Sequence, residues 1–158
     1  KIMKASTLCV LTLLISFYCG AQNNLSSITQ KDGMIGIGTS DPDQKLTVKG
    51  IIHTQEVLVD LKGAVAPDFV FERYYQGYST LKNDYQMLDL KSLETFLKQN
   101  HHLPEIPSAQ KLKEDGLELK KMNLLLLQKI EELTLYTLEQ QQQLDALQRQ
   151  IKLLIKQQ

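Results

Sequence analysis

Several side chains in this sequence are of types that do chemistry, and their spacing decides whether they can. Glu131-Glu132 supplies two carboxylates, the kit of a general acid/base pair. Neighbours on a helix point about 100° apart, however, and do not share a site. His101 and His102 are adjacent and His53 is far away in sequence. Adjacent histidines in a loop or strand point to different sides, and no third ligand falls at zinc-site spacing. Near a helix end, capping or packing is the expected role for such an imidazole. Asp41-Pro42-Asp43 could open a calcium loop, but the remaining ligands and the closing Glu are absent, so turn chemistry is expected. Gly36-Ile37-Gly38 lacks the third glycine and following helix of a dinucleotide fingerprint, and the Gly-Lys-Ser/Thr of a phosphate loop. It reads as turns between short strands. Ser79, Ser92 and Ser108 have no motif that places a base beside them. With no identifiable nucleophile, acid/base pair or ligand set, the sequence predicts a non-enzymatic protein with no cofactor and no metal.

Ligand binding is credible at one place, Tyr74, Tyr75 and Tyr78. Aromatic faces stack on sugars, and a tyrosine hydroxyl keeps one wet edge. The competing use of this segment is packing, with Phe69, Phe71 and Tyr85 forming a small core under a long helix, and that use is favoured.

The charge balance excludes other classes. Lys+Arg and Asp+Glu are 18 each, without the basic excess of a nucleic-acid binder. Hydrophobic residues make up 42%, too many for wholesale disorder, and two cysteines cannot build a disulfide scaffold. Residues 1–21 read as a signal peptide. Lys1 and Lys4 precede an apolar run from Leu8 to Tyr18, and Cys19-Gly20-Ala21 places small residues before a cut after Ala21. Bulky Tyr18 argues against lipidation at Cys19. Removing the leader takes Lys1, Lys4 and both cysteines with it, leaving 16 basic and 18 acidic residues and no thiol. The expectation is an exported protein, extracellular or on the cell surface with the periplasm as alternative, without a membrane span in the mature chain.

Elements then follow along the chain. Residues 22–32 are polar and read as a flexible start. Residues 33–65 read as a short β shaft, with Leu46/Val48 and Val57/Val59 alternating and glycines as punctuation. Two or three such strands cannot bury a core alone. Residues 66–118 form a small aromatic and helical module. Its segment 66–88 is expected as strand plus ordered loop. A helix over 89–100 is expected to be capped by Asp89 and ended at Leu103-Pro104-Glu105-Ile106-Pro107, followed by a short helix from Ser108 to Gly116.

Residues 119–158 carry the strongest local signal, a helix free of Pro and Gly. Leu126, Ile130, Leu133, Thr137, Gln140, Leu144, Leu147, Ile151 and Leu154 follow 4-3 spacing, and seven of the nine are apolar. A lone rod with that stripe is not soluble, so association through these nine positions is predicted, with Thr137 and Gln140 fixing register. Ile at one seam position and Leu at the other lean toward two chains. Leu124, Leu125, Leu127, Leu135 and Leu138 add a second apolar face, expected to pack on residues 66–116. The fold class predicted is α+β, with a fibre-like β part, a small helical and aromatic module and a parallel coiled coil.

The order of motifs carries a resemblance. Residues 36–52 (Gly-Ile-Gly-Thr-Ser-Asp-Pro-Asp-Gln-Lys-Leu-Thr-Val-Lys-Gly-Ile-Ile) resemble the shaft repeat of secreted bacterial tail-fibre-like proteins. Pro67-Asp68-Phe69-Val70-Phe71, residues 102–108 (His-Leu-Pro-Glu-Ile-Pro-Ser) and residues 129–136 (Lys-Ile-Glu-Glu-Leu-Thr-Leu-Tyr) resemble the module that follows such shafts. That module is distantly similar in layout to the intramolecular chaperone domain of phage endosialidases and tail spikes. The resemblance implies a structural fibre-type protein, trimeric with a dimer as alternative, whose coiled coil aligns the chains in a chaperone-like role. The alternatives are a surface adhesin that binds a glycan or protein, and a self-processing chaperone. The self-cleavage motif is missing, so autoproteolysis does not carry over.

Overall fold

The computed structural model describes residues 27–157. The leader at 1–21 and the first part of the flexible start lie outside the described residues. The chain is α+β and divides into two compact units, Lys1–Val57 and Leu58–Gln158. The described part of the first holds strands β1 (Ile28–Lys31), β2 (Met34–Ile37) and β3 (Leu46–Val48). The second holds helices α1 (Phe69–Gln76), α2 (Leu90–Asn100), α3 (Ala109–Asp115) and α4 (Leu119–Lys156).

β1 and β2 form an antiparallel hairpin, with Lys31 opposite Met34, and β3 joins β2 in parallel. The hairpin turn is Asp32-Gly33, with φ of 50° and 73°. Positive φ at both central residues matches the twist of the flanking strands, and Asp-Gly tolerates it. β1 therefore occupies what the sequence suggested was a loose start, because the Asp-Gly turn supplies a partner for an otherwise polar strand.

The glycine motif serves this sheet. A Cβ on Gly36 would lie 2.4 Å from the Thr39 carbonyl oxygen, and Gly38 turns the chain with φ of 72°. The tight return from β2 to β3 is held by buried Thr47. Its hydroxyl accepts from the backbone N–H groups of Asp43 and Gln44, both at 3.1 Å, and donates to the Asp43 carboxylate at 2.8 Å. That bond holds the Asp43 carboxyl below its usual pKa.

Residues 50–60 form no strand, unlike the expected pairing of Val57 and Val59. They have no regular secondary structure and make no backbone–backbone hydrogen bond among the described residues. Ile51 and Leu58 are 98% and 97% exposed. Alternation of apolar side chains fits a strand, but a ladder needs a second strand, and their own chain supplies none there.

In the second unit, residues 66–88 contain a helix, α1, where strand plus loop was expected. α1 ends at Gly77, which is left-handed and donates its N–H to the Arg73 carbonyl. Phe69 and Val70 on α1 are buried with Tyr85 and with Leu135 of α4, and Phe71 and Met87 pack against this cluster. Packing against α4 decides the helix here, over the modest propensity of its aromatic and β-branched residues. α2 begins as expected, with the Asp89 carboxylate accepting from the Ser92 N–H at 2.7 Å, which lowers the Asp89 pKa. It ends one turn before the prolines, at left-handed His101. Ser108 caps α3, and Gly116, with φ of 80°, ends it.

Leu135, fully buried, is the one α4 side chain in the cluster. Leu135→Ala is expected to lower the unfolding free energy by roughly 3 kcal/mol in urea titration, whereas the half-exposed Leu138→Ala changes it by less than ~1 kcal/mol.

Candidate functional site

α4 has 38 residues, about 57 Å of helix. Leu126, Ile130, Leu133, Thr137, Gln140, Leu144, Leu147, Ile151 and Leu154 are all exposed on it. The side chains buried on α4 are Gln128, Glu131, Leu135 and Tyr136. Gln128, Glu131 and Leu135 each lie two residues before a seam position (Ile130, Leu133 and Thr137), about 200° around the helix from it. α4 thus has one covered face and, opposite it, one uncovered apolar face. Of the second face predicted from leucines, Leu135 is buried, Leu124 and Leu125 are half-buried, and Leu127 and Leu138 remain exposed. Gln128, Glu131 and Tyr136 were missed. Two of them are polar, and polar residues mask a buried stripe in a count of apolar positions.

Gln128 is satisfied by a compact network. Gln128 donates its amide to Glu105 and, at 2.8 Å, to Glu132. Lys129 bridges Glu105 at 3.3 Å and Glu132 at 3.0 Å. Lys82 binds Glu105 at 2.9 Å and lies 5.1 Å from the centre of the Phe69 ring. Tyr85 donates to Glu132 at 3.0 Å. Burial opposes ionisation of Glu105, but hydrogen bonds from Lys82 and Gln128 and the two lysine charges outweigh it and hold its pKa low. Glu105 needs a φ of 65°, an uncommon backbone for a residue with a side chain. Burial, then the neighbouring Glu132, raises the Tyr85 pKa. Burial pushes Tyr136 up to about 12. Both phenols therefore stay protonated donors, and Tyr136 donates to the Leu88 carbonyl. Two lysines offset two glutamates, so the network is neutral and its groups are mutually engaged, as a structural clamp requires.

The network forms one rim of a groove of about 430 Å³. Its floor is the first five seam positions, Leu126 to Gln140. Its outer wall is Leu90 and Leu93 of α2 with Leu103 and Pro104. Past the groove, from Gln141 to Lys156, every α4 residue except Ala146 is exposed. Thr137 donates its hydroxyl to the Leu133 carbonyl at 2.9 Å.

The other candidate residues lie apart from this groove. Tyr74 and Tyr75 close α1 and Tyr78 follows it; all three are exposed, and the Tyr74 and Tyr75 rings meet edge-on at 4.9 Å. His102 packs edge-on to Phe96 at 5.7 Å. Ser79 is buried and donates to Glu72 at 2.6 Å. Among the described residues, no group of three or more His, Cys, Asp or Glu side chains converges, and no helix is long and apolar enough to cross a membrane. No protein family matches the chain, nor does any curated protein or solved structure.

Glu131 is the one buried group left unsatisfied: its Oε2 has no hydrogen-bond partner among the described residues. Burial, then the charges of Asp68 and Glu132, raises its pKa above the ordinary 4.5. A carboxyl with a raised pKa in the folded state binds more protons folded than unfolded. Its destabilising effect is therefore full at neutral pH and is relieved as pH falls through the raised value toward 4.5. Glu131→Gln is expected to stabilise the chain by about 1 kcal/mol at pH 7, with the gain shrinking toward pH 4 in paired thermal melts.

Proposed function

We propose that this chain is an exported, non-enzymatic structural protein of fibre type, whose α4 helix joins copies in parallel and aligns their N-terminal strands. One observation carries the proposal: an apolar stripe at 4-3 spacing runs the length of α4 and stays exposed, on the face opposite the one its own chain covers. Burial of such a stripe against identical stripes is the simplest way to remove it from water. Three chains are proposed, in line with the motif order of residues 36–52 and 102–136, although Ile and Leu in the seam suit two as well. Export is proposed from the leader pattern.

Alignment has a purpose in this scheme. Strands of three or four residues make a marginal sheet. Holding copies side by side turns strand pairing between chains into a local event at high effective concentration.

A second reading is supported by the exposed Tyr74, Tyr75 and Tyr78, which offer aromatic faces at one end of α1. In that reading they contact a surface glycan. Calorimetry against a glycan panel should then give binding that disappears in the triple Tyr→Ala variant; no binding across the panel removes this reading.

The self-association test uses the distal seam, whose side chains are exposed among the described residues. Light scattering on a sizing column should give the mass of a trimer for the chain from residue 22 onward. Leu147→Asp with Ile151→Asp should give a monomer that keeps the core around Leu135. A monomeric unsubstituted chain at every concentration would sink the proposal, and a dimer would keep the coil but remove the three-chain fibre.

A further inference from the structure

We infer that Glu131 and Asp68 together hold a calcium ion beside the first turn of α1. The inference concerns the covered face of α4 and does not depend on self-association.

Glu131 is the starting point. It is 6% exposed, and its Oε2 has no hydrogen-bond partner among the described residues. Buried charges in folded proteins are paired or coordinate metals, and a buried acceptor without a donor marks the place of a missing partner. Its own helix offers none. Lys129, the nearest basic residue along α4, is held by Glu105 and Glu132. Neither Glu131 nor Asp68 has an ion pair among the described residues.

Asp68 supplies the second carboxylate. It stands at the cap position of α1, yet its side chain caps nothing. The next two residues, Phe69 and Val70, share the core with Leu135. Leu135 lies one turn beyond Glu131 on the same face of α4. Packing of α1 on α4 therefore brings an unengaged carboxylate to the buried one. The Asp68 charge reaches Glu131: after burial, it is the larger of the two charges that raise the Glu131 pKa, ahead of adjacent Glu132. A cation between the two carboxylates turns that repulsion into attraction.

The donors select the ion. Carboxylate oxygens without imidazole or thiolate suit hard cations. The buried Oε2 has to touch the ion directly. Magnesium dehydrates reluctantly and demands a near-octahedral shell, whereas calcium accepts an irregular shell completed by water. Asp68 is exposed, so the ion keeps solvent on that side and has a way in. With two carboxylates the affinity falls at the weak end of calcium modules, a dissociation constant of about 1 mM. Bound there, the ion ties the start of α1 to α4 and holds Phe69 and Val70 against Leu135.

The test is thermal melting of the full chain at pH 7 and fixed protein concentration, followed by its helical signal. Calcium chloride at about 10 mM should raise the midpoint by roughly 5 °C over sodium chloride at the same ionic strength. Glu131→Gln should melt higher than the unsubstituted chain without calcium, and should show no response to calcium. Asp68→Asn should lose most of the response. A midpoint that moves no more with calcium than with sodium overturns the inference. So does a calcium response that survives Glu131→Gln, which places the ion elsewhere. An equal response to magnesium chloride overturns the direct contact of calcium with Oε2.

Discussion

The second unit depends on α4, a single helix with one face covered around Leu135 and Tyr136 and an apolar stripe on the opposite face that stays exposed among the described residues. Leu135 and Tyr136 anchor the covered face, and Phe69, Val70 and Tyr85 exist as a core because Leu135 is there to close it. Among the described residues, nothing comparable covers Leu144, Leu147, Ile151 or Leu154. Isolated exposed leucines need no explanation, but a repeating line of them on a single rod does. The helix has no Pro or Gly to break it, so it does not fold back on itself. Burial against other copies is the cover proposed for the line.

The polar residues around the groove fit the same constraint. A charged network beside an apolar interface is costly if any member is left unpaired. Here Lys82, Lys129, Glu105 and Glu132 neutralise one another, and Tyr85 and Gln128 fill remaining acceptor positions. The network also ties the loop at Pro104-Glu105 to α4. The outer wall of the groove is thereby fixed relative to its floor, even though α2 itself is not buried. The positive φ of Glu105 is the local cost of that tie. Glu131 shows the opposite case, a buried carboxylate with no cation beside it, whose neighbours Asp68 and Glu132 add repulsion.

Much of this was legible in the residues. Asp89, Ser108 and Gly116 marked helix ends because caps are local chemistry, decided within a few residues. The α4 stripe was legible because helical periodicity survives whatever covers it. α1 was not legible: Phe-Val-Phe followed by two tyrosines favours a strand locally, and only the tertiary contact with Leu135 selects a helix, with Gly77 as the overlooked stop signal. β1 was overlooked because Ile28–Lys31 is mostly polar, although Asp32-Gly33 is a strong hairpin signal. The buried face of α4 was seen only at its leucines, since Gln128 and Glu131 look like solvent-facing residues until their surroundings are known. The groove was invisible from sequence for a simpler reason: Leu93 and Ile130 are distant in the chain, and no periodicity links them.

The N-terminal unit completes the physical case for assembly through the helix. Its strands are short, and the backbone of residues 50–60 makes no backbone–backbone hydrogen bond among the described residues. Water can satisfy those amides, but it cannot hide Ile51, Ile52, Val57 and Leu58. Sheet pairing between separate chains would have to overcome both translational entropy and the ordering of an extended segment, a poor bargain for so little surface. A helix with a continuous seam has the opposite balance, because its hydrogen bonds are local and its apolar stripe is long. In the proposed assembly the order of events follows from that difference: helices associate first, and only then does the raised local concentration make pairing of the N-terminal segments worth its entropic cost.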